Sequence, residues 1–408
     1  MKILCVFGEH NYGDPRRGEG YEYVNFLPAL RKLGHDVVFF ESYNKSAYTD
    51  FAALNQALLK TVVREDPDAI FFVLFGYEVW LETLELLREK SRAVLINWAT
   101  DDSWKYAQFS RFLAPYFDLY ATTYPEAQAR ASASGMSHVR LLQWAANSDA
   151  LLAPLPSAEC KHDVTFVGTS YGNRPQWIAK LIQQGVPVAC YGKGWNNGVV
   201  PAQQMQSIIR ESRITLNFGD SGVVFKGILP TKSRQIKARI FEVPGAGGFL
   251  MTEPAERLEK YFSVGSEMAV FSTIDDLVPQ IRHLLKHPEE RDAAAQRGFR
   301  RVMAEHTYEA RFSGLLREAA DLLAARPSGR LGTDDIARFE AHMTAHRHVG
   351  LGLRLLKAVL VTAFRPFVGA ERAERAGRRL LLEASWRLCG AVTYSAKGWV
   401  GRLFYAAS

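Results

Sequence analysis

The chain is poor in cysteine, and the four it has (Cys5, Cys160, Cys190, Cys389) are scattered through 408 residues without paired spacing. That distribution excludes a disulfide framework, a zinc ribbon and a C-x-x-C redox couple. Three of the four sit in apolar runs, where a free thiol behaves as a small hydrophobe, so a reduced, cytoplasmic setting is expected. No stretch reaches the roughly 20 apolar residues a spanning helix needs. The opening MKILCVFGEH has an apolar core of only about six residues and no small-residue cleavage site after it. It is therefore expected to be a buried first strand, not a signal peptide. No G-x-G-x-x-G follows that strand and no P-loop consensus occurs, which counts against dinucleotide enzymes and P-loop NTPases. Neither a metal constellation nor a nucleic-acid motif is present, so no metal, no cofactor and no nucleic acid are expected.

What is present is a repeated alternation. Apolar runs at Ile3–Phe7, Asp36–Phe40, Ala69–Phe75, Ala93–Trp98, Leu119–Thr122 and Val139–Gln143 read as strands. Helical spacing separates them, at Tyr21–Leu33, Asp50–Arg64 and Leu81–Lys90. Strands that are nearly all apolar, alternating with helices, predict a parallel sheet covered on both faces. The rhythm breaks over Ala145–Lys161 and restarts with strands at Val164–Gly168, Val188–Tyr191, Thr215–Phe218, Phe249–Thr252 and Ala269–Phe271. Helices are expected at Arg174–Gln184, Met205–Glu211 and Ser233–Val243, then through Leu323. The expected organisation is an N-terminal Rossmann-like domain over 1–150, a second one over 151–326, and a helical extension over 327–408. Two doubly wound α/β domains in tandem place the open carboxyl ends of both sheets around an interdomain cleft, where such folds bind ligands.

The most informative stretch is LNFGDSG (Leu216–Gly222) followed by KSRQIKARIFEVPGAGGFLMTEP (Lys232–Pro254). As a basic helix it would carry Lys232 and Arg234 in its first turn, a position that suits cations only if an anion docks there. Lys237 and Arg239 would stand on either side of one carboxylate, Glu242. That carboxylate can accept two ribose hydroxyls, with each charge-assisted bond worth about 1.5–3 kcal/mol. The plainer alternative is a solvated face with an i,i+3 ion pair. Asn217 and Gly219, at a strand end, are candidates for contact with a sugar or phosphate, or for an ordinary turn. Thr169 and Ser170 follow the first strand of the second domain and are candidates to present amides to a diphosphate. In the N-terminal half, INWATDDSW puts Asp101 and Asp102 directly after a strand, as a general base or as a helix cap. His10, next to Glu9 in the loop after the first strand, is the other base candidate.

These pieces resemble the CgeB-type (spore-maturation-like) GT-B glycosyltransferase family. Lys237, Arg239–Glu242 and Gly247–Leu250 match its K-x-R-I-F-E segment and the G-G-F-L strand after it. Phe262, Gly265, Glu267, FSTIDDL (Phe271–Leu277), His287–Pro288, Glu290–Arg291, Gly298 and HTYEAR (His306–Arg311) follow in the family's order. DVTFVGTS (Asp163–Ser170) resembles the start of its C-terminal domain. Glu19–Ser42 and Ile96–Trp104 match more loosely. The resemblance implies a GT-B fold and a metal-independent hexosyl-type transferase. It further implies a nucleotide diphosphate sugar held by the C-terminal domain, with Glu242 on the ribose, and a glycan, lipid-linked or protein acceptor, as in cell-surface polysaccharide assembly. Many GT-B enzymes carry an earlier glutamate that contacts the donor sugar. Arg234 stands there in this chain, so donor sugar and stereochemistry stay open. A non-catalytic GT-B scaffold and a nucleotide-sugar epimerase are the alternatives.

The net charge of +7 comes from the end of the chain, where Arg330–Ser408 holds 13 Lys/Arg against 6 Asp/Glu. After the linker PSGRLGTDD come two helical patterns. In one, Leu351, Leu355, Leu356, Val359, Leu360, Ala363 and Phe364 line a face, with Arg354 and Lys357 opposite. In the other, apolar residues from Leu381 to Cys389 are flanked by Arg378, Arg379 and Arg387. Trp399, Phe404 and Tyr405 add aromatics. Two readings result: peripheral docking on the anionic inner face of a membrane, or a helical cap packed on the protein.

Overall fold

The mostly apolar runs become two parallel sheets. The structure, a computed structural model, describes residues 1–226 and 229–407, with the side chains of 220–226, 229–233, 371 and 407 outside the description. The chain divides into two units. Met1–Thr122, Glu126–Leu141 and Gly314–Ser408 form the first, and Thr123–Pro125 with Leu142–Ser313 the second.

In the first unit the strands are β1 (Lys2–Phe7), β2 (Asp36–Glu41), β3 (Ala69–Phe72), β4 (Val94–Ala99), β5 (Leu119–Thr122) and β6 (Val139–Leu141). They pair in parallel in the order β2-β1-β3-β4-β5-β6. The helices between them are α1 (Tyr21–Lys32), α2 (Phe51–Glu65), α3 (Leu81–Lys90), the short α4 (Asp102–Lys105) and α5 (Arg111–Leu113), and α6 (Pro125–Ala133). β1, β3 and β4 are buried on both faces, as crossover helices require. Phe26 of α1 packs on Phe71 and Trp98, with ring centroids 6.0 and 5.3 Å apart. Each such large apolar side chain contributes about 1.5–3 kcal/mol by leaving water.

The second unit holds β7 (His162–Val167), β8 (Ala189–Tyr191), β9 (Ser212–Asn217), an antiparallel pair β10 (Asp220–Lys226) and β11 (Leu229–Arg234), then β12 (Leu250–Thr252) and β13 (Ala269–Val270). Its main sheet is parallel in the order β13-β12-β9-β7-β8. Its helices are α7 (Arg174–Gln183), α8 (Ala202–Arg210), α9 (Arg239–Gly245), α10 (Ile274–Lys286), α11 (Pro288–Glu305) and α12 (Tyr308–Ala325), along which the chain returns to the first unit. Arg291, fully buried, ties this unit together. Its guanidinium donates to the carbonyls of Ser212, Arg213 and Leu155 at 2.7, 2.6 and 2.9 Å.

One expected element is different. The basic helix expected from Ser233 begins only at Arg239, because the chain ahead of it pairs with β10 as a strand. Arg234 closes that strand opposite Asp220, so it is not in a first helical turn. Lys232 lies in β11 too, and its side chain is outside the described residues.

The extension holds α13 (Thr333–Ala345), α14 (Leu351–Val368), α15 (Ala370–Cys389) and α16 (Trp399–Leu403). Much of it packs on the first unit. Arg347 pairs with Asp50 at 2.9 Å, and Gln56 bonds Glu340. The Tyr405 ring meets Phe51 at 4.8 Å while its hydroxyl donates to the carbonyl of Tyr48 at 2.9 Å. A Cβ on Gly401 would stand 2.4 Å from the Tyr77 ring, so only glycine permits that approach. α14 is divided otherwise than its spacing suggests. Leu360 and Phe364 are half-buried, together with Lys357, whereas Leu351, Leu355, Leu356 and Val359 are exposed.

Candidate functional site

In each unit the strand order reverses direction once, between β1 and β3 and between β7 and β9, and ligands of doubly wound sheets bind at the carboxyl edge there.

The carboxyl edge of the first unit gathers acidic groups around one lysine. Asp102 is 2% exposed and accepts hydrogen bonds from the Ser110 and Thr122 hydroxyls, the latter at 2.6 Å. Burial pushes its carboxyl up to about 6 against the opposing pull of those two bonds. A π-type turn over Tyr106–Ser110, the kind of irregularity that often marks a site, brings Ser110 back to it. Asp102 is thus locked inward. Asp101 stands at the N-cap of α4, but its side chain makes no capping bond. So neither aspartate caps the helix through its side chain, and Asp101 is the one with its carboxylate uncommitted to α4.

Sequence reading missed two partners. Glu22, in the first turn of α1, is 8% exposed, and burial pushes its carboxyl up to about 7, with Asp101 raising and Lys105 lowering it. Lys105 is held below the usual lysine range by burial, against the pull of Asp101, Glu78, Asp102 and Glu22. Its ammonium donates to the Phe75 carbonyl at 3.3 Å and lies 4.9 Å from the Phe75 ring. Glu78 in turn accepts from the amides of Phe75 and Gly76 at 2.9 and 2.6 Å, which fixes the loop after β3. A carboxyl near 7 beside a half-buried lysine is suited to moving a proton at neutral pH. The signal available was a glutamate opening the helix after a glycine-rich loop.

His10 lies apart from that group in the bonds it makes. It bridges Glu19 in backbone pairing, and its Nδ1 is 4.0 Å from the Glu9 carboxylate. Glu9, His10 and Glu41 bring ligand atoms within 4.8 Å, as do His283, His287 and Glu290 in the second unit. Glu41 already accepts from the amides of Glu9, Tyr43 and Asn44.

The carboxyl edge of the second unit is organised by guanidinium groups. Arg174, 9% exposed, donates to the Thr169 carbonyl at 2.9 Å and the Phe218 carbonyl at 3.3 Å, joining the loops after β7 and β9 across the reversal. It also stacks on Tyr171 at 4.1 Å. The Ser170 amide donates to the Lys193 carbonyl at 2.8 Å, so it is not turned out toward a diphosphate. Asn217 is 4% exposed and donates to the Thr252 hydroxyl at 2.9 Å, inside the sheet and not toward a ligand. The Gly219 amide donates to Glu253 at 2.9 Å, and the same fully buried carboxylate pairs with Arg234 at 3.1 Å. Arg234 therefore braces the edge from β11. Arg174 and Glu253 are the residues missed here, although Glu253 directly follows a strand buried along its whole length.

Gln235 donates from its amide to the Gly219 carbonyl at 3.4 Å, so α9 starts from this edge. In its first turn Glu242 pairs with Arg239 at 2.9 Å, both mostly buried. Lys237 precedes the helix. His306 supports α9 from behind: it is ringed by Phe241, Tyr261 and Phe262 within 5.8 Å and bonds the Tyr261 carbonyl at 2.8 Å. Burial holds it below the usual histidine range.

Residues 174–317 match a family model described as glycosyl transferase-like. No curated protein sequence matches the chain. Among solved structures, sucrose-phosphate synthase from Thermosynechococcus elongatus is similar at a TM-score of 0.54 and 14% identity, over 80% of this chain and 100% of that one. HepE of Anabaena in complex with UDP and glucose is similar at 0.52 and 11% identity, over 80% and 100%. The same protein in complex with UDP-glucose gives 0.52 and 11%, over 79% and 100%. At these identities the likeness speaks to fold alone, and the fold is GT-B.

Proposed function

We propose that the chain is a glycosyltransferase, of CgeB-type kinship, moving a sugar from a nucleotide diphosphate sugar to a glycan, lipid-linked or protein acceptor. The observation that carries this reading is the family match over 174–317, which falls within the α7–α12 segment and takes in Arg174, Arg234, Glu242 and Glu253. In this reading the second unit holds the donor. Glu242 accepts from the ribose hydroxyls, and Lys237 and Arg239 offset the charge that develops on the leaving diphosphate, without a metal. The first unit supplies the acceptor side. Asp101 or Glu22 takes the proton of the attacking hydroxyl, and Lys105 keeps the carboxylate form accessible. Four cysteines without disulfides suit a reducing, cytoplasmic setting.

The test is a thermal-shift screen against UDP, GDP, CDP and dTDP, with UDP run first because HepE was solved with it. One nucleotide is expected to stabilise the protein, and Glu242→Ala to abolish that shift. An undiminished shift in the folded variant would remove Glu242 from the site. No shift with any nucleotide, and no transfer from a donor panel, would sink the reading.

A further inference from the structure

α14 is an 18-residue helix without one buried residue. Its inner side, Leu353, Lys357, Leu360 and Phe364, recurs at helical spacing and is half-buried. Lys357 there pairs with Glu374 of α15 and donates to the Leu403 carbonyl at 3.1 Å. The rest of the circumference faces water. Leu351, Leu355, Val359 and Phe367 are 74, 59, 65 and 84% exposed. At about 100° per residue these four fall, with Leu356, Ala363 and Pro366, in one arc of about 160° that holds no charged side chain. Single exposed leucines are ordinary, but a continuous apolar arc marks a surface that is covered in use.

The charge around the arc identifies what covers it. α14 carries Arg354, Lys357 and Arg365 and no acidic residue, and beyond residue 340 the chain has 11 Lys/Arg against 3 Asp/Glu. Exposed Arg372, Arg375, Arg379 and Arg387 of α15 continue that excess. A second copy of the same face would set arginine against arginine about a two-fold axis. An anionic bilayer surface complements both features at once, since the apolar arc enters the acyl boundary while the arginines meet lipid phosphates. Among the described residues no helix is long and apolar enough to cross a membrane, so α14 would lie along the surface. We propose that the outer arc of α14 is a membrane-docking surface for anionic phospholipid. The surface does not depend on the catalytic reading, and its readout involves no donor or acceptor.

Flotation of the full chain with phosphatidylcholine vesicles, with and without phosphatidylglycerol, tests it. The wild type is expected to float with the anionic vesicles, to be released by added salt, and to stay behind with neutral ones. Leu355→Asp with Val359→Asp should reduce binding about tenfold or more. Arg354→Glu with Arg365→Glu should reduce it most at low salt. All four positions are outside the core, and an unchanged melting temperature in each variant secures the comparison. Equal partition onto neutral vesicles, no flotation, or undiminished binding by the aspartate variant would each overturn the proposal. So would a concentration-dependent dimer that the aspartate variant abolishes without any vesicle binding.

Discussion

The carboxyl edges of the two sheets are built on the same winding but furnished with different chemistry. In the first unit the reversal between β1 and β3 is surrounded by buried groups whose charge is costly. Glu22 is pushed up to about 7 and Asp102 to about 6, while Lys105 is held below the usual lysine range. In the second unit the edge is organised by arginines with fixed partners: Arg174 on the carbonyls of Thr169 and Phe218 across the reversal between β7 and β9, Arg234 on Glu253, and Arg239 on Glu242. One edge is suited to exchanging protons, the other to holding shape and presenting fixed charge. On the proposed function, proton transfer falls to the first unit and donor holding to the second.

The contrast is broken most severely at Glu253. Replacing it with alanine strands Arg234 and the Gly219 amide, and the expected loss of stability is about 4 kcal/mol. Urea unfolding measures it; a loss below about 1 kcal/mol would show that the pair does not hold the edge. Arg234→Met with Glu253→Leu should recover more than half, since an apolar pair of similar volume replaces a buried ion pair well.

Glu22→Gln attacks the other edge. If this carboxyl moves the acceptor's proton, transfer falls about a thousandfold, while the nucleotide-induced thermal shift is retained. Full activity in the variant would leave Asp101 as the base. The same substitution has an opposite effect on stability. Glu22 has its folded value raised from 4.5 to about 7, and Asp102 from 3.8 to about 6, so the native state binds more protons than the unfolded chain between those values. Stability is therefore fullest at the acid end of that window and declines as pH rises toward 7. For Glu22 the span amounts to about 3 kcal/mol, and the glutamine variant should be more stable than wild type at pH 8 by up to that amount. Unfolding free energies measured from pH 4.5 to 8 would show the slope in the wild type and a shallower one in the variant.

How far these edges could be read from sequence depends on the range of the interactions. KILCVF and VLINWA are apolar but for Lys2 and Asn97, so β1 and β4 were legible, and with them the placing of Asp101 and Asp102 at a strand end. Which aspartate turns inward was not legible, because Ser110 and Thr122 decide it from 8 and 20 residues away. Lys232 to Lys237 carries cations at spacing that also suits a helix. The strand there depends on pairing with β10, including a register shift, which spacing does not encode. Glu22 reads as one more polar residue on an amphipathic helix, and its burial, like the charges of Asp101 and Lys105 that act on it, comes from parts of the chain far from it in sequence. For the extension, spacing located α14 and α15 but not which side α15 would cover.

The smallest effect is the most discriminating for the second edge. Arg239 and Glu242 form an i,i+3 pair at 2.9 Å that is mostly buried, and as a structural pair alone it is worth about 0.5 kcal/mol. Arg239→Ala should accordingly lower the melting temperature only slightly. If the guanidinium also meets a diphosphate, nucleotide affinity falls about tenfold in the same variant, by calorimetry, and the loss shrinks with added salt. Affinity that follows stability, with neither moving appreciably, would reduce the pair to a brace for α9. In that case Lys237 is the cation to replace next. The second edge would then hold shape alone, and the charge of a leaving diphosphate would have to be met elsewhere.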